Sequence, residues 1–123
     1  MEQAYMSISD HRSEREQERA EAVAAIEYAL VTIEGQHREP DQWERAFLVQ
    51  AVSWLFRGGY RLAAVDAELA LTPPSERSRA SNLRPDPLLD RCTVSLLRQA
   101  YQEAAAQPLS DFPAFGPIIF AGR

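Results

Sequence analysis

Four residues that could bind a metal ion or move a proton fall within one short stretch of this 123-residue chain: His37, Glu39, Asp41 and Glu44. A divalent ion needs its imidazole and carboxylate ligands to converge from fixed elements, and the chain contains no HxxxH or CxxC spacing that would arrange this. Asp41 and Glu44 have a simpler use. An acidic residue followed three positions later by Glu is the pattern of a capping box, in which the first carboxylate accepts the early N–H groups of a helix. Cys92 stands near the expected start of a later helix, where the helix dipole would favour a thiolate, but no His neighbours it in sequence to act as a base. Asp66 interrupts an apolar stretch and is expected on an outer helix face. Arg77, Arg79 and Arg84 make one loop locally basic, suited to an acidic partner or a phosphate, or simply to solvent. The sequence therefore predicts no catalytic set, no metal site and no cofactor.

The elements that hold these residues read as helices. The segment from Asp10 is charged, with Glu14 and Glu18 spaced to meet Arg15 and Arg19. It then becomes amphipathic, with Ala22, Val23, Ile26, Ala29, Leu30 and Ile33 on one stripe and Gly35 as a C-cap. Residues 1 to 9 lack periodicity and are expected to fray. A second helix starts near Asp41 and ends at Gly58-Gly59. Between Ala46 and Phe56 only Gln50 and Ser53 are polar, so neighbours should cover this helix on several sides. A third helix runs from Tyr60 to Leu71, with Leu62, Val65 and Leu69 on one stripe and Ala63, Ala67 and Ala70 on another. The small stripe allows close approach to the second helix, and Pro73-Pro74 stops it. Residues 73 to 86 read as a loop. A fourth helix is expected from Pro87, capped by Asp86, to about Gln107. The fold class is then all-α: one domain of four helices around a central apolar helix at about 41–57, with an irregular apolar C-terminal tail at 108–123.

Phe47, Ala51, Trp54, Gly58, Tyr60, Ala63, Ala70 and the Pro73-Pro74 stop together resemble one tetratricopeptide-type helical hairpin over residues 43–75. Gln50, Ala51 and Ala67 depart from that family's preferred Leu, Gly and large aromatic. A shift of 34 residues aligns Ala67, Ala70 and Pro74 with Tyr101, Ala104 and Pro108, but Pro85 and Pro87 fall where a second repeat's first helix would run. An ordinary helical hairpin in a small bundle accounts for the same residues. The resemblance implies a groove for another protein or peptide, faced by Arg45, Leu48, Val52 and Leu55. The expected function is a non-enzymatic interaction module: an adaptor, a chaperone-like protein or an inhibitor. The alternative from another class is a small-ligand sensor or enzyme with an apolar pocket between helices, using Tyr60, Trp54 or the His37 region.

Composition narrows the partners. The chain is 46% hydrophobic and 25% charged, with a net charge of -5, the make-up of a globular protein and a poor match for a phosphate backbone. Nucleic acid is not an expected partner. No stretch is apolar for long enough to span a membrane, the first residues lack a signal-peptide pattern, and one cysteine cannot form an internal disulfide. The cytoplasm is the expected compartment. Five large apolar residues, Phe112, Phe115, Ile118, Ile119 and Phe120, lie within nine positions of a proline-broken tail. Such a surface is expected to be covered, either by the chain's own helices or by a second copy, with a homodimer the favoured arrangement.

Overall fold

The computed structural model describes residues 2–77 and 91–110, with side chains from residue 12 onward. The expected C-terminal tail beyond Ser110 and the proposed start of the fourth helix at Pro87 lie outside the described residues. Four α-helices are present among them: α1 Glu2–Gly35, α2 Gln42–Arg57, α3 Tyr60–Ala70 and α4 Val94–Ala105. The fold is all-α and forms a single domain.

Local chemistry sets each boundary. Asp41 is the N-cap of α2: its carboxylate accepts from the Glu44 backbone N–H at 2.9 Å, and the Glu44 carboxylate accepts from the Asp41 N–H at 2.8 Å. This closes the reciprocal pair that the spacing predicts. At the other end Gly58 has φ 87°, a left-handed conformation that costs a Cβ-bearing residue energy, and the Gly59 N–H donates back to the Trp54 carbonyl at 2.8 Å. The chain thereby reverses into α3. For α4 the observed cap is Thr93, whose hydroxyl accepts from the Leu96 N–H at 3.2 Å. A hydroxyl placed one residue before the apolar run satisfies the first turn directly. α1 begins at Glu2. No Gly or Pro interrupts residues 2 to 34, and once a helix is nucleated each further turn extends at little cost.

α1 and α2 each pack on both α3 and α4, whereas the backbones of α3 and α4 do not come close to each other. α3 lies along α1 and α2 on one side. Its Ala63, Ala67 and Ala70 are all fully buried, as is Ala51 of α2. Side chains this small let backbones come close, which answers the expectation for the small stripe. The core is completed by Ala22, Ile26, Ala29, Leu30 and Ile33 from α1 and by Leu48, Leu55, Tyr60, Leu97, Tyr101 and Ala104.

α4 is fastened to α1 by charge. Arg98 donates to Glu34 at 2.9 and 3.0 Å and to Glu27 at 3.0 Å. Its hydrogen bond and charge hold the Glu34 carboxyl below the usual range, and the two carboxylates raise the guanidinium pKa further above its ordinary value. Tyr101 is held in the core, its hydroxyl donating to the Val23 carbonyl at 3.3 Å, and burial pushes its pKa up.

Candidate interaction surface

The stretch that could have held a metal is divided among structural tasks. Glu44, a buried charged residue at 4% exposure, receives a two-pronged donation from Arg38 at 2.8 and 2.7 Å in addition to its capping bond. The Glu44 hydrogen bond raises the Arg38 pKa. Such a planar fork is the geometry a carboxylate accepts best. Glu39 reaches the start of α4, where its carboxylate accepts from the Val94 N–H at 2.8 Å. Asp41 also pairs with Arg77 at 3.1 Å. His37 is exposed on the turn after α1, with φ 55°. Three carboxylates thus face three different backbone or guanidinium partners instead of a common centre. Among the described residues no His, Cys, Asp and Glu group is placed to hold a metal ion.

Arg77 is equally committed. It donates to the Thr72 carbonyl at 3.0 Å and lies 5.3 Å from the Trp43 ring centroid, while Arg79 and Arg84 lie outside the described residues. Cys92 immediately precedes Thr93, the cap of α4, and so lies just outside that helix. It is partly buried, and its carbonyl accepts from Arg45 Nε at 3.2 Å.

The four residues expected to face a groove are distributed differently. Leu48 and Leu55 are buried in the core, and Val52 is 6% exposed. Arg45 is turned to the chain beside Cys92. The side of α2 that the hairpin resemblance would leave open is covered by this protein's own α1 and α4. What remains accessible there is a cleft of about 340 Å³ between α2 and α4, lined by Val49, Val52, Ser53, Phe56, Cys92, Leu96, Leu97 and Ala100. No charged side chain lines it. Phe56 is 42% exposed and Leu96 51% exposed at its rim. Val52 is the one residue of the expected set that reaches this surface. The residues named for a ligand pocket do not assemble one: Tyr60 is buried, Trp54 is half-buried beneath the Arg57 guanidinium at 4.3 Å, and His37 is on the surface.

A second apolar surface lies on α3. Because its alanines face inward, Leu62, Val65 and Leu69 face out, each between 39% and 50% exposed. Trp43 sits beside the end of this row, its indole N–H donating to the Leu69 carbonyl at 2.7 Å and its ring 4.9 Å from that of Phe47. The sequence separates the two stripes of α3 by spacing. The inward choice of the small one follows from how closely α3 approaches its neighbours.

Two arginines carry a task that the charge pattern did not reveal. Arg15 donates to the Ser110 carbonyl at 3.0 and 3.2 Å and to the Gly58 carbonyl at 2.9 Å, with its guanidinium 4.7 Å from the Tyr60 ring centroid. Arg19 donates to the Gln107 carbonyl at 2.7 Å. The helix start expected to be solvated is in fact a clasp for the segment leaving α4. Ion pairs along α1 hide this role, since Arg15 also meets Glu18 at 3.0 Å as the i,i+3 spacing predicts.

Compared with known protein families, curated proteins and solved structures, the chain has no significant match to any of them. No helix among the described residues is long and apolar enough to cross a membrane.

Proposed function

We propose that this chain is a non-enzymatic protein-interaction module that takes an uncharged apolar segment of a polypeptide into the cleft between α2 and α4. The observation that carries the reading is the lining of that cleft, which combines Phe56 and Leu96 at the rim with Val52 and Leu97 on the floor and includes no charge. An apolar segment laid there gains about 25 cal/mol for each Å² it removes from water, with no ion to desolvate. The cytoplasm is the compartment that goes with this reading, and an adaptor, chaperone-like or inhibitor role fits it equally.

Self-association is part of the same proposal, through α3. A second copy related by a two-fold axis would cover the row of Leu62, Val65 and Leu69, since an isologous contact presents the same row from both sides. Mass in solution tests it: Leu62→Asp should convert a dimer to a monomer while leaving the fold intact. The cleft is tested by capture with the full chain and with Leu96→Asp as baits. One stoichiometric protein held by the parent, kept by Leu62→Asp and lost by Leu96→Asp is the expected result. Equal retention by all three baits would remove the cleft from the account.

A further inference from the structure

We infer that the cleft between α2 and α4 is filled in the full chain by that chain's own C-terminal segment, Phe112 to Phe120, folded back on itself. The inference rests on the reading of the cleft as a binding groove and names its first occupant. The described chain ends at a fixed place. The Ser110 N–H donates to the Tyr60 hydroxyl at 3.0 Å, and the Ser110 carbonyl accepts from Arg15, which also holds the Gly58 carbonyl. The root of the segment is therefore tied at the turn between α2 and α3, where Gly58 stands two positions in sequence from Phe56 of the cleft lining.

Chemistry and shape match as well. FPAFGPIIF carries no charge, and neither does the lining of the cleft. Pro113, Gly116 and Pro117 exclude a regular helix, so the segment suits a narrow groove as an extended chain and not as a fifth bundle helix. Two of its nine residues have no backbone N–H, which lowers the number of donors left unsatisfied against an apolar wall. Nine extended residues reach about 30 Å, whereas the seven-residue rise from Val49 to Phe56 on a helix is about 10 Å. Reach is ample within one molecule, and tethering supplies an effective concentration in the millimolar range that a second copy in dilute solution does not match. The outward row of α3 is a poorer match: it is convex and is flanked by Arg61 and Glu68.

Cys92, the single cysteine, lines the cleft and serves as the probe. Phe112→Cys, Phe115→Cys and Ile118→Cys are made one at a time in the full chain, with Leu62→Cys on the far helix as the control, and all are oxidised gently at low concentration. An internal disulfide to Cys92 in at least one tail variant, formed at least tenfold faster than in the control and migrating as a monomer, is the expected result. A Cys92-to-tail disulfide that joins two chains would overturn the inference in favour of exchange between copies. So would the absence of any Cys92 bond. A second measurement leaves the tail cysteine-free: Phe115→Asp with Ile118→Asp should raise the rate of Cys92 labelling by a small aromatic disulfide several-fold, and an unchanged rate counts against the inference. Both experiments read the tail alone, so they can fail while an outside protein still binds the cleft, and the capture experiment can fail while they succeed.

Discussion

The two flanks of the α1–α2 pair are built on opposite rules. On the α3 side, alanines at 63, 67 and 70 are buried completely, and every large apolar residue of the stripe between them points to solvent. On the α4 side the larger Leu97 and Tyr101 are buried along with Ala104, and an open cleft remains beside Val49 and Phe56. Close approach through small side chains puts the helix's own large side chains on the outside. A looser contact through large side chains keeps them in but leaves a groove. Both flanks end with apolar surface in water, by different routes, and this is why the interaction reading needs two surfaces and not one.

The sharpest contrast comes from neighbouring residues on α3. Tyr60 is 2% exposed and holds Ser110 with its hydroxyl, whereas Leu62 is half exposed. Tyr60→Ala should cost roughly 3–5 kcal/mol, the range for removing a large buried ring. Leu62→Ala should cost under about 1 kcal/mol in the monomer. Denaturant unfolding of both variants checks this, and similar losses would mean that the outward row is covered within the chain.

Packing density on the two flanks differs in the same sense. Ala67→Leu adds a large group where α3 meets its neighbours with full burial, and should cost about 1–3 kcal/mol or more. Ala100→Leu, at the edge of the cleft, should cost clearly less. If the order is reversed in thermal melts, α3 does not pack as closely as its alanines imply.

The turn that sets α3 against α2 is a single-residue matter. Gly58→Val forces a β-branched residue into φ 87° and should lose about 1–3 kcal/mol. Gly59 has φ −83°, which a side chain can adopt, so Gly59→Val should show the smaller loss. Equal melting temperatures for the two variants would refute this assignment.

Much of the frame was legible because it depends on neighbours in sequence. The buried stripe of α1, the Asp41–Glu44 cap, the glycine turn and the separation of α3 into a small and a large row all follow from spacing of three, four or seven residues. What was not legible depends on which elements meet. Leu48 and Leu55 are apolar and regularly spaced whether they face a partner or the chain's own helices, and only the packing of the other helices around α2 decides that they are core. Arg15 reads as a surface charge because its acceptors, the carbonyls of Gly58 and Ser110, are 43 and 95 residues away. Asp86-Pro87 and Thr93 both carry helix-start chemistry, and local preference alone does not single out Thr93, the cap that the structure shows for α4.

Asp66 offers the finest test of the tightly packed flank. It lies on the edge of α3 between the two rows, four residues after Leu62 and four before Ala70, and is partly buried. Burial penalises its charged form and raises its pKa above the ordinary carboxylate value. A carboxyl whose folded pKa is raised holds its proton more firmly in the folded state than in the unfolded one. Its contribution to stability is therefore fully present below the unfolded pKa and is lost as pH rises through the folded pKa. At neutral pH the ionised side chain works against the fold, discounted by the solvent that still reaches it. Asp66→Asn removes the charge with almost no change in shape or helix preference. It should raise the melting temperature at pH 7 by roughly 1–3 °C, and the gain should shrink to nothing once the pH falls below the carboxylate range, where the parent is also neutral. A gain that persists unchanged at acid pH would trace to something other than the buried charge, and a loss at pH 7 would mean that the carboxylate has a stabilising partner on this flank.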